Sequence, residues 1–290
     1  AWRWMFMAEA VPAVVYGLFA FRLPESPRFL VARGDYDKAS QVLRDFTGVA
    51  DVDLKIKEIR STIDAEKRES LSDLRGPAMG LRPIVWVGIA LSVFQQFVGI
   101  NVIFYYSTTL WRTIGFEESD ALTITVITSV TNIVVTIVAI LLVDRVGRRP
   151  MLLAGSFFMT VALGLMALAF SFANVSGGEV TLEAPWAPIA LVSANLFVVA
   201  FGTTWGPLVW VLLGEMFPNR IRAGALAVAA AAQWVANFVI STTFPVLSNI
   251  GLTFAYGFYA LCALLSLVFV FLRIPETKGK ELEDMEELTA

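Results

Sequence analysis

The sequence predicts an all-α membrane protein with seven transmembrane helices, and three features carry that reading. Only 16% of the 290 residues are charged while 57% are hydrophobic, and the charges come in blocks, whereas a water-exposed surface needs charge all round. Uncharged runs fill the intervals from Arg82 to Arg112, Asp120 to Asp144, Glu183 to Glu215 and Arg222 to Arg273, and about 20 apolar residues suffice to cross a bilayer's hydrocarbon core. The cations also gather on one side of those runs, as the positive-inside rule requires.

Apolar runs and breakers place helices at 4–21, 84–110, 121–143, 151–172, 186–214, 223–247 and 252–272. The last two share one uncharged stretch of 50 residues, too long for one span, which Ser248, Asn249, Ile250 and Gly251 divide by a turn. Between the first and second spans, Arg22 to Arg82 holds 12 of the 22 lysines and arginines. There Ala39, Val42, Leu43 and Phe46, then Leu54, Ile56, Ile59 and Ile63, recur at helical spacing, predicting two or three short amphipathic helices against the membrane face.

Seven spans put the chain ends on opposite sides. All the cations but Arg3 and Arg112 fall on one side, which makes that side cytoplasmic, with the C-terminus inside and Ala1 outside. Glu9 and Pro12 interrupt the opening apolar run and no small-residue cleavage pattern follows, which argues against a secretory signal. A start at Ala1 instead of methionine suggests a longer gene product.

Several classes are excluded. A net charge of -3 without a basic stripe interleaved with aromatics gives no nucleic-acid partner. Cys262, the single cysteine, rules out a disulfide framework and a cysteine metal site. The absence of histidine removes the commonest general base and metal ligand, so no cofactor or metal is expected.

Ionisable groups inside a span are costly and therefore functional candidates. Glu9 is the one well inside, either within a turn or two of the outer headgroups or paired with an arginine in a proton or gating role. Neutral polar residues are more informative. Gln95, Gln96 and Asn101 surround Gly99 in the second span and precede Phe104, Tyr105 and Tyr106. On a regular helix Gln95 and Gln96 stand about 100° apart and Asn101 about 140° beyond, so they share no narrow stripe, but a bend at Gly99 would turn them toward one cavity. The third span adds Asn132 and the sixth Gln233, Trp234 and Asn237; Asn132 and Asn237 serve equally well as interhelical glue. Gly202, Gly206, Pro207 and Trp210 predict a discontinuous fifth span.

Amides both donate and accept, as sugar hydroxyls do, and indole or phenol rings pack on the C–H face of a pyranose. A cavity of amides and aromatics without fixed charge suits a neutral polyhydroxylated solute. Asp144, Arg145, Arg148 and Arg149 fill one cytoplasmic loop, and Glu215, Arg220 and Arg222 another. They read as topology-setting charge or as an ion-pair network that breaks when bundles rock apart.

These residues resemble those of the sugar porter branch of the major facilitator superfamily. The matching motifs are Pro24-Glu25-Ser26-Pro27-Arg28, Gln95-Gln96 with Gly99-Ile100-Asn101 and Phe104-Tyr105-Tyr106, then Asp144-Arg145-Val146-Gly147-Arg148-Arg149. Gly206-Pro207-Leu208-Val209-Trp210 with Glu215-Met216-Phe217-Pro218 and Pro275-Glu276-Thr277-Lys278-Gly279 complete an ordered series along essentially the whole chain. The resemblance implies a 12-helix fold of which this chain supplies helix 6 (1–22), the intracellular helical linker (23–82), the C-terminal six-helix bundle (83–273) and a cytoplasmic tail (274–290), without helices 1–5.

By resemblance, the sugar contacts fall on Gln95, Gln96, Asn101, Tyr105, Asn132, Trp210, Gln233 and Trp234, with Gly206 at the helix break. The cytoplasmic gate falls on Asp144, Arg145, Arg148, Arg149, Glu215 and Arg222 with Glu25 and Arg28, Glu215 pairing with Arg148 or Arg149 and with Arg222. Animal facilitative carriers have Glu at Gly202 and Asn at Gln233; here the sequence is more similar to bacterial sugar–proton symporters, whose sixth helix carries a glutamate matching Glu9. The implied protein moves a hexose or pentose across the bacterial inner membrane by alternating access, with protons as co-substrate, or as an uncoupled uniporter. Two rivals fit worse. A seven-span photoreceptor or signalling receptor fits the helix number, but retinal needs a membrane-buried lysine and all six lysines are cytoplasmic in this topology; an intramembrane enzyme lacks a catalytic set.

Overall fold

The computed structural model describes residues 2–47, 51–66, 71–113, 115–176, 179–218 and 221–278. Lys67, Arg68, Arg220 and Lys280, counted above for topology, and Gly279 of the tail motif lie outside them. The chain forms two compact units, Ala1–Glu69 and Ser70–Ala290.

In the first unit, α1 (Trp2–Arg22) carries apolar residues on every face, and Trp4, Val11, Val14, Phe19 and Phe21 are all exposed. Such a helix has no single side to bury against a neighbour in its own unit. It bends by 57° into α2 (Pro27–Arg33). Ser26 accepts a hydrogen bond from the Phe29 N–H, Pro27 supplies the first-turn geometry and Gly34 closes the helix in the left-handed region, so the Ser-Pro of the first motif is a helix start. Then come α3 (Tyr36–Val42), a π-helical turn over Leu43–Thr47 and α4 (Val52–Glu66). Leu30, Val31 and Ala39 pack with Val42, Ile56, Ile59 and Ile63. Periodicity predicted the α3 and α4 part of that core, wrongly adding Phe46 and Leu54, which are exposed, and it missed Leu30 and Val31 of the seven-residue α2.

The second unit contains α5 (Pro83–Phe97), α6 (Ile100–Tyr105), α7 (Ser107–Thr113), α8 (Glu118–Val146), α9 (Arg148–Ser171), α10 (Trp186–Thr203), α11 (Trp205–Met216), α12 (Arg222–Ile250) and α13 (Leu252–Arg273). A small antiparallel hairpin, β1 (Asn174–Ser176) with β2 (Glu179–Thr181), joins α9 to α10 with Val175 opposite Val180. Six segments here are long and apolar enough to cross a membrane, α5–α6 and α10–α11 each counting as one. The first expected span forms its helix, α1, and together with α2 across the bend it counts as a seventh such segment.

Two breaks shape the bundle. Gly99 sits at φ 84° between α5 and α6, and a Cβ there would stand 2.8 Å from the Tyr259 ring, so glycine is required for both backbone and space. The α10–α11 break falls at Thr204, between Gly202 and Gly206 and ahead of Pro207. Pro207 has no N–H for the Thr203 carbonyl four residues back, and its ring crowds that oxygen. Residues Ser248 to Ile250, expected as a turn, stay helical; Gly251, at φ 149°, alone divides α12 from α13. Small residues let α9 lie closely against α10 and α13, among them Gly155, Ala162, Ala263 and Ser266.

Candidate functional site

The break at Gly99 turns three amides toward one point. The Asn101 side-chain N–H donates to Gln96 Oε1 at 2.6 Å, and Asn237 from α12 donates to the same oxygen at 3.1 Å. Gln96 Nε2 lies 3.4 Å from Gln95 Oε1, and Gln95 Nε2 donates to the Trp205 and Gly206 carbonyls at 3.0 and 3.1 Å. The Ser241 hydroxyl completes the chain on Asn237 Oδ1 at 3.3 Å. Both helix breaks are thus joined by Gln95. One turn before Asn237, the Gln233 carboxamide oxygen is buried with no hydrogen-bond partner among the described residues. An orphan buried acceptor costs about 1–3 kcal/mol; the hydroxyls of Ser92, Tyr256 and Tyr259 are likewise buried without a partner among the described residues.

The other expected contacts are placed less centrally. Gly206 is half-buried at the start of α11, and Trp210 one turn later is 44% exposed. Trp234 and Tyr105 are mostly exposed. Tyr106, beside Tyr105, is the one turned inward, its hydroxyl donating to the Ser241 carbonyl at 3.0 Å. Asn132 stays outside the amide cluster, its Oδ1 3.0 Å from where a Cβ on Gly202 would stand. Glu9 is exposed on α1.

At the arginine-rich end, Arg148 grips Glu215 through two parallel bonds, Nη2 to Oε1 at 2.7 Å and Nε to Oε2 at 3.2 Å, and reaches Asp144 at 3.0 Å. The Arg148 side chain is 12% exposed and that of Glu215 33%, so this bidentate pair is partly shielded from water. Thr277 donates to Glu215 at 2.7 Å. Of the two arginines expected as alternatives for Glu215, Arg148 takes the carboxylate and Arg149 does not; Arg222, expected to join them, bonds elsewhere. Arg149 donates to the Phe271 carbonyl and lies over that ring. Arg222 donates to the Phe217 carbonyl five residues back, a nearer acceptor than Glu215. The Arg145 side chain is exposed and its carbonyl accepts from Lys278 Nζ. Glu25, in the first unit, is exposed ahead of α2.

Glu276 holds the start of α9. Its carboxylate accepts from the backbone N–H groups of Arg148 and Arg149 at 3.0 and 3.1 Å and of Lys278 at 2.9 Å, where unpaired N–H groups and the helix dipole favour an anion. Gly147, at φ 103°, makes room: a Cβ there would stand 2.8 Å from Glu276 Oε2.

The sugar (and other) transporter family matches residues 1–289 of this sequence. The chain belongs to this family. The glucose transport protein of Synechocystis sp. is 54% identical over 98% of the chain and 61% of its own length, and the D-xylose-proton symporter of Escherichia coli K12 is 39% identical over 99% and 57%. Among solved structures, the proton:xylose symporter XylE of the major facilitator superfamily, bound to 6-bromo-6-deoxy-D-glucose, matches all of the chain and 59% of its own with TM-score 0.78 and 36% identity. The chain therefore spans about three fifths of the length of these relatives.

Sequence reasoning gave no partner to three residues that make long-range hydrogen bonds. Asn237, read as interhelical glue, bonds Gln96 from α12 to α5 and so joins the amide cluster. Glu276, which caps α9, and Thr277, which donates to Glu215, stand in the tail motif, where nothing marks their partners.

Proposed function

We propose that the chain is the C-terminal part of a monosaccharide carrier working by alternating access: helix 6 of the 12-helix plan, the helical linker, and the second six-helix bundle, acting with helices 1–5 of the same gene product in the bacterial inner membrane with the C-terminus cytoplasmic. The observation that carries this reading is the uncharged amide cluster at two helix breaks, with the Gln233 oxygen left without a donor. Irregular backbone at membrane depth is found where it lines a cavity, and carriers bind at such discontinuous helices near the midplane.

In this mechanism a sugar hydroxyl donates to Gln233 Oε1, and others exchange with the amide–amide bonds among Gln95, Gln96 and Asn101. Because water–amide bonds are exchanged for sugar–amide bonds, the net gain per hydroxyl is modest, about 0.5–1.5 kcal/mol, and several must act together. Trp210 covers a ring face beside Gly206, Asn132 and Trp234 line the wall, and Tyr105 belongs to the outer gate. The pair Arg148–Glu215 with Asp144 and Thr277 forms the core of the cytoplasmic gate, with Arg145, Arg149 and Arg222 beside it, and holds the outward-open state.

Coupling to protons is part of the proposal, with Glu9 as the carboxylate that exchanges a proton, and it draws on the symporters among the relatives. Uptake of labelled D-glucose and D-xylose by the intact gene product in vesicles, with and without a proton gradient, tests both parts. Saturable uptake concentrated by the gradient is expected, and Glu9→Gln should abolish accumulation while leaving exchange of sugar across the membrane. Uptake of neither sugar would contradict the carrier reading; uptake indifferent to the gradient would leave the uniporter.

A further inference from the structure

Trp205 is the first residue of α11 and is completely buried. It therefore cannot be a platform for a solute, unlike the partly exposed Trp210 and Trp234. Its indole N–H is instead spent inside the protein, 2.9 Å from the Ser156 hydroxyl and 3.2 Å from the Leu152 carbonyl of α9. The Ser156 hydroxyl lies 3.0 Å from that of Ser266 on α13, which donates to the Ala263 carbonyl at 2.7 Å. A buried chain of hydrogen bonds thus ties the helix break to two neighbouring helices.

Gly155 lets the break come this close. A Cβ on it would overlap the Thr204 side chain at the break itself. The same Trp205 whose indole N–H is held by α9 offers its backbone carbonyl to Gln95 Nε2, and Gly206 offers the next. Gln95 passes the constraint to Gln96, and Gln96 to Asn101 and Asn237. The side chain of Trp205 fixes where two carbonyls point, and those carbonyls fix the first amide of the cluster.

We propose that Trp205, held by Ser156, is a positioning residue for the sugar cavity, setting affinity through Gln95 without touching the sugar; this rests on the amide cluster being that cavity. The alternative is that it merely fills space in the core, and the two differ in whether the effect passes through Gln95.

The test is D-glucose and D-xylose binding by calorimetry to the purified intact gene product, with thermal unfolding followed in parallel. Trp205→Phe removes the N–H together with one of the two fused rings; Ser156→Ala removes the nearer of its two acceptors and leaves the Leu152 carbonyl. Each should weaken binding about tenfold, because each breaks the Trp205–Ser156 bond and loosens a preorganised site. The double variant should be no weaker than either single one. In a Gln95→Ala background, Trp205→Phe should add no further loss. Should Trp205→Phe fail to fold, Ser156→Ala reads the same bond alone. An effect that persists undiminished on Gln95→Ala, or a lowered unfolding midpoint with unchanged affinity, would overturn the positioning role. If Gln95→Ala itself leaves affinity unchanged, or the native protein binds neither sugar, the cavity reading fails and the proposal with it. Affinity lost in Gln95→Ala but kept in both Trp205→Phe and Ser156→Ala would sink the proposal alone.

Discussion

Replacing Gly155 with alanine asks how tightly the α10–α11 break is pressed onto α9. An alanine Cβ would overlap the Thr204 hydroxyl and stand 2.7 Å from Thr204 Cβ and 3.1 Å from Cγ2, where ordinary contacts need about 3.5–4 Å. Thr204 cannot swing away cheaply. It is buried, and its hydroxyl donates to the Ala200 carbonyl at 2.6 Å. The helices must separate by most of an ångström, an overpacking cost of about 1–3 kcal/mol. Removing a helical glycine returns about 0.5–1 kcal/mol. The net loss of roughly 0.5–2 kcal/mol lowers the unfolding midpoint by about 1–8 °C for a unit of this size. Gly164, on the same helix with nothing within 4 Å of its would-be Cβ, is the control, and Gly164→Ala should leave the midpoint unchanged or raise it. Thermal melts of the two variants of the intact gene product in detergent, followed by circular dichroism, make the comparison. If Gly155→Ala proves as harmless as Gly164→Ala, the close approach of break and helix is wrong.

Two further outcomes follow from the arginine-rich end. Glu215→Gln removes the charge facing Arg148 and should cost about 1–2 kcal/mol, the value for charge-assisted bonds reduced for the one-third exposure of Glu215. If the pair favours the outward-open state, inward-open molecules should rise about 5- to 30-fold, read as faster labelling of a cysteine introduced on the cytoplasmic face; unchanged labelling would refute the gating role. Glu276→Ala strips the start of α9 of its anion and should lower the unfolding midpoint by about 1 kcal/mol equivalent, whereas Glu276→Gln, which still accepts hydrogen bonds, should lose less. Equal losses would mean that the charge supplies the whole effect and the hydrogen bonds none of it, whereas no loss in Glu276→Gln would mean that the charge contributes nothing.

How much of this was legible in the sequence depended on contrast. Gln95, Gln96 and Asn101 stand out because an amide in an apolar run has no reason to be there unless it is used, and Gly99 between them marked the bend. The second break was harder to place, since a proline acts on the carbonyl four residues upstream and Thr204 itself bears no signal. Ser248 and Asn249 looked like a turn, but Ser248 returns its hydroxyl to the Pro245 carbonyl and the helix continues. Pairings over long separations were invisible. Glu276 meets residues more than a hundred positions earlier, and in a charged tail it resembles solvated charge. Arg222 was assigned a carboxylate by sign alone, whereas the nearer Phe217 carbonyl takes its N–H. The hydrogen bond of Trp205 left no trace either, because a buried indole and a core residue look alike in an apolar segment.

The central claim is that the amide cluster at the two helix breaks is a monosaccharide site. Equilibrium binding of D-glucose and D-xylose to the purified intact gene product and to its Gln96→Ala variant tests it most directly, since Gln96 Oε1 is the oxygen on which Asn101 and Asn237 converge. Saturable binding of at least one sugar, weakened tenfold or more in Gln96→Ala while the protein stays folded, is the predicted result. Unchanged affinity in that variant, or no binding of either sugar by the native protein, would contradict it.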